Sequence, residues 1–235
     1  MRMTARTEYR NTLLATLDPD DIALIEPHLE PVDLPLRKPL YFANEPIRTV
    51  HFVEAGLASV VTRFGDGQTI ECAVVGREGM VGVPHLLGSD TTNTECMVQV
   101  PGRGWRMEAT ALRAAITRSP PLRARLLRYA MAFLSQVSQT AACNGVHAVR
   151  QRLVRWLLMT HDRGDGDRIP LTQETISTML GVRRAGVTVA AGDLQKAGLI
   201  TYGKGFITIL DRPGLEAAAC ECYAAVKDQF RHLQA

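Results

Sequence analysis

The 235-residue chain has no long apolar run. No segment approaches the roughly 20 residues of a membrane-spanning helix, and no basic start followed by an apolar stretch marks a signal peptide. The expected location is therefore the cytoplasm, with no membrane partner. Excess charge of one sign is also missing. The net charge is only +3, so the molecule as a whole is not a basic nucleic-acid coat. His-x-His is absent, and residues 32–109 hold only His51 and His85. A cupin-type metalloenzyme needs clustered histidines with a carboxylate, so catalysis of that kind is excluded and the chain is not expected to be an enzyme. The five cysteines are Cys72, Cys96, Cys143, Cys220 and Cys222. Their odd number, irregular spacing and cytosolic context point to free thiols. On a regular helix, positions i and i+2 point about 200° apart. Cys220 and Cys222 therefore read as packing residues and no metal site is assigned. Cys143 falls near the end of a long helix, where a symmetry mate could approach it.

What is present divides the chain into three parts with an α+β composition. Residues 8–30 read as helical, with Asp18-Pro19 as a start signal. Residues 32–109 are rich in Val, Thr and Phe and punctuated by glycine. Alternation at Ile70, Cys72, Val74 and at Cys96, Val98, Val100, with Gly65-Asp66-Gly67 as a hairpin turn, predicts a small antiparallel, jelly-roll-like β-roll. From Pro120, apolar positions at Leu122, Leu126, Tyr129, Phe133 and Val137 recur at spacings of three and four. They predict a helix of about 24 residues, about 36 Å long, with a narrow seam suited to a dimer contact. A further helix spans 146–162, with Val149, Leu153, Trp156, Leu157 and Met159 on its apolar side. Domain boundaries are placed at 1–119 for the roll with its N-terminal helices, 120–145 for the long helix and 146–235 for the remainder.

The most informative stretch is 171–210. Ile176, Met179 and Leu180 give one helix its apolar face, and Val187, Ala190, Ala191 and Leu194 give a second helix its own. Thr172 can cap the first, and Gly181 can take the left-handed turn between them. The segment LITYGKGFITIL then predicts a hairpin with a Gly-Lys-Gly tip. This is the pattern of a winged helix-turn-helix, which places its second helix, about 183–197, in the DNA major groove. Arg183 and Arg184 stand where a helix N-terminus disfavours cations, which implies an anionic partner. Thr172, Gln173 and Arg183 suit phosphate contacts, and Lys204 at the wing tip is a further one. Ala185, Val189, Gly192 and Lys196, flanked by Arg184 and Thr188, face away from the apolar stripe. A non-DNA adaptor using the winged helix for protein contacts is the alternative from another class.

The segment TISTMLGVRRAGVTVAAGDLQKAGLI, with the preceding long helix and the glycine pattern VGREGMVG in the roll, resembles the CRP/FNR superfamily of bacterial transcription regulators. The resemblance spans nearly the whole chain. It implies a homodimer joined through Leu126, Phe133 and Val137, binding to inverted-repeat promoter sites on double-stranded DNA, and RNA polymerase as a partner. It also implies an effector pocket in the roll at Glu78, Gly79 and Gly82. Two departures restrict the effector. Cyclic-nucleotide binders of the family carry a Gly-Glu cassette followed by an arginine, yet Met80–Pro101 contains neither Lys nor Arg. A buried cyclic phosphate needs such a partner, so the effector is not expected to be a cyclic nucleotide. Iron–sulfur members use cysteines near the N-terminus, and the first here is Cys72. No cofactor is assigned. A haem sensor using His51, His85 or His147, or a thiol-redox sensor, is the alternative within the same fold. In the recognition helix, relatives place Arg, Glu and Arg where this chain has Arg184, Ala185 and Val189. Arg184 is then the main hydrogen-bonding base reader.

Overall fold

In the computed structural model, residues 8–203 and 205–233 are described. Two short helices come first. α1 (Thr12–Ala15) is capped by Asn11, whose side chain accepts from Leu14 N. The same amide donates to Val53 O and Gly79 O, each at 2.8 Å, and so ties the N-terminal segment to the roll. α2 (Pro19–Ile25) begins at the expected Asp18-Pro19 start. The predicted helical stretch is not continuous: a 3-10 turn at Glu26–His28 ends it. Pro27 cannot supply the N–H that an α-helix would use there.

The roll is one antiparallel sheet made of β1 (Glu30–Leu34), β2 (Pro39–Tyr41), β3 (Thr49–Arg63), β4 (Thr69–Val75), β5 (Met80–Val81) and β6 (Glu95–Glu108). The order is β1-β6-β3-β4, with β2 added to β6 and β5 to β3. β3 and β6 pair from Thr49↔Glu108 to Val61↔Glu95 with three register shifts, and such bulges increase twist and curl a sheet. The turn through Gly65-Asp66-Gly67 joins β3 to β4 as predicted.

After α3 (Ala109–Arg118) the chain enters α4 (Pro120–Val146). Ser119 starts it: its hydroxyl accepts from Leu122 N at 3.1 Å and donates to Asp21 Oδ1, and two prolines occupy the first turn. At 27 residues the helix is about 40 Å long. Leu122, Leu126 and Tyr129 are fully buried against the chain's own roll and N-terminal helices. The Tyr129 hydroxyl donates to Met80 O at 2.9 Å. The Gln136 amide bonds both Val74 N (2.9 Å) and Val74 O (3.1 Å), satisfying part of the open edge of β4. These contacts correct the predicted seam. Leu126 is core within one chain, and Phe133 and Val137 are half-buried against the roll. The face left open instead carries Leu127, Met131 and Leu134, which are 37%, 59% and 53% exposed.

The remaining elements are α5 (Val149–His161), β7 (Arg168–Pro170), α6 (Gln173–Leu180), α7 (Arg184–Lys196), β8 (Ile200–Gly203), β9 (Phe206–Ile209), α8 (Arg212–Ala217) and α9 (Glu221–Arg231). The wing is a three-stranded sheet in the order β7-β9-β8. β7 is three residues ending in proline and offers no alternation for a sequence reading. Its Arg168 guanidinium lies 3.7 Å from the Phe206 ring centroid. α5 also departs from expectation. Every residue from Arg152 to Thr160 is buried, because α6, α7, α8 and α9 surround it. α9 packs along α4. No helix among the described residues is long and apolar enough to cross a membrane.

Candidate nucleic-acid interface and effector cavity

The two helices of the DNA module are built by short-range chemistry. Thr172 Oγ1 accepts from Thr175 N at 3.1 Å and opens α6. Gly181 closes it at φ +61°, a conformation that costs glycine little. Arg183 is the residue before α7, and Arg184 is its first residue. Buried Arg152 reaches across from α5 to Leu180 O, placing a cation at the negative end of α6. Thr188 Oγ1 donates to Arg184 O (3.1 Å) and to Gln173 Oε1 (3.3 Å), so the start of α6 and the exposed face of α7 meet. Thr172, Arg183, Arg184 and Thr188 are exposed, and Gln173 is half-exposed. Five of the six predicted contact residues are therefore open to solvent at the start of α6 and the first turns of α7, and Gln173 and Thr188 meet directly. Lys204, the sixth, lies outside the described residues. Tyr202 of β8 joins this surface and was not predicted. Its hydroxyl receives the Gln173 backbone N–H, and burial raises its pKa although nearby Arg184 opposes this. The apolar Val189 is 65% exposed, in a position to meet thymine methyls rather than polar base edges.

A second feature lies between the roll and α4. It is a cavity of about 450 Å³ walled by Val60, Val75, Met80 and Val83 on the roll and by Ala130, Phe133, Leu134 and Val137 on the helix. Its polar rim is Tyr41, Thr62, Ser89 and the threonines of Thr91–Thr94. Among the described residues, no Asp, Glu, Lys, Arg or His lines it. Gly82 is at its wall, as expected, but Glu78 and Gly79 are not. Gly79 is required because a Cβ there would lie 2.2 Å from the Tyr129 ring. Glu78 turns away to the 163–165 loop, where its Oε1 accepts from Arg163 Nε at 2.7 Å. The residue that follows the cavity glycine is Val83, so no carboxylate stands there. His51, His85 and His147 do not line the cavity either. The signal available in the sequence was Ser89–Thr94, a hydroxyl-rich stretch without cations.

Two family models match the chain in series: a cyclic nucleotide-binding domain over residues 31–119 and a Crp-like helix-turn-helix domain over residues 151–218. The chain belongs to the CRP/FNR superfamily. Its members are transcription regulators and not enzymes. A CRP-like cAMP-activated global transcriptional regulator of Mycobacterium tuberculosis is 26% identical over 212 residues, covering 86% of this chain and 94% of the relative. Among solved structures, FixK2 from Bradyrhizobium japonicum shares the fold with a TM-score of 0.70 at 16% identity, over 82% of this chain and 98% of its own. A CRP-family transcriptional regulator from Thermus thermophilus does so at 0.61 and 23% identity, over 80% and 96%.

In this CRP/FNR chain the DNA module rests on the roll. Trp156 Nε1 donates to Glu71 Oε1 at 2.6 Å, and Ser59 Oγ donates to Glu71 Oε2. Glu71 is buried with no cation bonded to it, and burial pushes its carboxyl up to about 7. Arg77 donates to Gly164 O at 2.8 Å, and Ile70 of β4 lies against the position of Gly181. The cysteines also differ from expectation. Cys143 is buried and faces Cys220, with the sulfurs 3.8 Å apart, rather than pointing outward. Cys220 is the residue before α9, with extended backbone at φ −77°, ψ 160°. The 200° rule for i and i+2 does not hold across that boundary, and Cys220 and Cys222 converge.

Proposed function

We propose that the chain is a homodimeric, sequence-specific DNA-binding regulator whose roll senses an uncharged, largely apolar effector rather than a cyclic nucleotide. It would act in the cytoplasm on inverted-repeat sites, with RNA polymerase as its further partner. The division of α4 into two working faces carries this reading. Phe133 and Val137 wall the cavity. Leu127 and Met131 are exposed away from the cavity, and the exposed Leu134 borders both the cavity and that outer stripe. With Ala124, Ser138 and Ala141 they repeat at spacings of three and four, the a and d positions of a two-stranded coiled coil. An effector pressing on Phe133 acts one residue away from the seam at Leu134.

The relative from M. tuberculosis is named as cAMP-activated, but the cavity wall here offers a cyclic phosphate no cation. Arg123, Arg125 and Arg128 on α4 precede the cavity wall at Ala130 and do not line it. Desolvating a phosphate without a charged or dense N–H partner costs far more than its ring contacts return. Isothermal titration of nucleotide-free protein with cyclic AMP and cyclic GMP should give no binding tighter than about millimolar, or roughly −4 kcal/mol. The same protein should bind an inverted-repeat duplex in a salt-dependent way. Micromolar binding of either nucleotide would overturn the effector reading. Absence of duplex binding would overturn the DNA reading.

A further inference from the structure

Cys143, His147, Cys220 and Cys222 come from two ends of the C-terminal half of the chain and meet in one place. Their ligating atoms all lie within 4.8 Å of one another. Cys143 belongs to the last turn of α4, and His147 is four residues later, at the residue that ends the helix. Cys220 and Cys222 bracket the start of α9. The three cysteines are buried and form their own small cluster. We propose that this tetrad is a Cys3His site for a single Zn(II) ion.

Two of the six edges already have tetrahedral length, and the rest lie within 4.8 Å. With Zn–S near 2.3 Å and Zn–N near 2.0–2.1 Å, a tetrahedral ion sets S···S edges at about 3.8 Å and S···N edges at about 3.5 Å. Cys143 Sγ and Cys220 Sγ are 3.8 Å apart. Cys222 Sγ and His147 Nδ1 are 3.5 Å apart. The surroundings also fit a metal centre. His147 directs Nε2 at Glu221 Oε1, 3.4 Å away, which leaves Nδ1 as the lone-pair nitrogen facing the sulfurs. A carboxylate behind a ligating histidine fixes the tautomer in the same way at known zinc sites. Gln139 Nε2 donates to Cys222 Sγ at 3.0 Å, a bond that a thiolate accepts better than a thiol. The start of α9 adds its positive end to Cys220 and Cys222.

Charge balance points the same way. Each thiol gives up its proton on coordination, so one Zn(II) with three thiolates and a neutral imidazole carries one net negative charge. Arg155 and Arg152 are buried on the adjacent α5, and both act electrostatically on Cys143 or respond to it. Each also has a buried Nε without a hydrogen-bond partner. A packing cluster of three neutral thiols and an imidazole would leave these two cations uncompensated, whereas an anionic centre offsets one of them. Three soft sulfur ligands and one imidazole select zinc over hard oxygen-seeking cations. The ion would fasten the turn between α4 and α5 to the start of α9, and that turn aims the DNA module.

The test uses the full chain, purified under reducing conditions. Metal analysis should find about one zinc per chain, as a closed four-ligand site requires. Chelator-treated protein titrated with Co(II) should develop the visible absorption of a tetrahedral, thiolate-bound ion, and Zn(II) should abolish it. Cys143→Ser, Cys220→Ser and Cys222→Ser should each lose that absorption, while Cys72→Ser and Cys96→Ser keep it. Glu221→Gln should keep the spectrum but weaken binding about 10–100-fold, the usual cost of removing an outer partner. This last variant keeps the test decisive if a cysteine variant fails to fold. The proposal is overturned if the reduced wild-type chain takes up no Co(II), or binds it only with the weak spectrum of an oxygen-ligated ion. Iron as the co-purified metal would overturn it, as would a Cys143–Cys220 disulfide whose reduction restores no metal uptake.

Discussion

Replacing Glu71 by glutamine should remove a pH-dependent loss of stability located where the DNA module rests on the roll. In the native chain this carboxyl titrates near 7 instead of its ordinary 4.5. Between those values the folded chain holds a proton that the unfolded chain has released, so stability falls as pH rises from about 4.5 to about 7 and then levels off. At 1.36 kcal/mol per pKa unit the full loss is about 3 kcal/mol. Buried His51 works in the opposite direction. Burial lowers its pKa from 6.5 to about 4, so the unfolded chain binds the extra proton and stability rises from about pH 4 to about 6.5, again by about 3 kcal/mol. The two groups nearly cancel in the wild type, and single substitutions separate them. Glutamine at 71 keeps both partners, since its carbonyl can accept from Trp156 and its amide can donate to Ser59. Urea unfolding at pH 5 and pH 8 should show Glu71→Gln gaining about 2–3 kcal/mol more over wild type at pH 8 than at pH 5. His51→Phe should show the opposite trend between pH 4 and pH 6.5. A Glu71→Gln difference that does not change with pH would refute the reasoning, because the carboxyl would then titrate alike in both states.

Met131→Asp or Leu134→Asp should convert a dimer to monomer in sedimentation and abolish binding to inverted repeats, because half-sites about 34 Å apart need two heads. Leu126→Ala should instead cost about 2–5 kcal/mol of folding stability and leave assembly intact, as befits a core leucine. Arg184→Ala should lose roughly 1–3 kcal/mol of discrimination at one base pair per half-site in a binding-site selection, the worth of a bidentate arginine–guanine pair. Arg183→Ala should weaken binding about equally on all sequences and reduce the salt slope by about one.

The helices of the DNA module were legible because their signals are local. The Thr172 cap, the Gly181 turn and the apolar spacings of α6 and α7 act within a few residues, and no distant element overrides them. α4 was legible as a helix but not in its partners. It carries two apolar stripes one position apart, Leu122-Leu126-Tyr129 and Leu127-Met131-Leu134. Periodicity shows that both exist without showing which one the roll covers. The roll took the stripe with Tyr129, whose hydroxyl finds Met80 O. Glu78 illustrates a related point: a glycine-rich run fixes a turn, but the direction of its carboxylate is set by Arg163, 85 residues further along the chain. The cysteine tetrad depended on the long-range packing of α9 on α4, which joins residues 77 positions apart. It also depended on one extended residue, Cys220, at a helix boundary.

These features meet on α4, and their order along it suggests how a small cavity event reaches DNA. Tyr129 and Gln136 fix the helix to β5 and β4 by hydrogen bonds to backbone, so the segment between them cannot slide freely along the roll. Phe133 lies between these two anchors and fills part of the cavity wall. An effector that displaces Phe133 therefore strains the Tyr129 and Gln136 contacts, and in the proposed mechanism the helix responds by rotating about its axis. In the proposed dimer, rotation would move Leu134 out of or into the seam, and at the far end it would move Cys143 and His147, which lead into α5 and the DNA module. Trp156 and Arg163 resist that movement through Glu71 and Glu78 on the roll. The two contacts differ in kind. Arg163–Glu78 is a paired charge whose partners gain from staying together, whereas Glu71 has only neutral donors and becomes costly to bury once ionised. The Trp156 contact is thus the weaker hold above neutral pH and the one that rotation of α4 would release first.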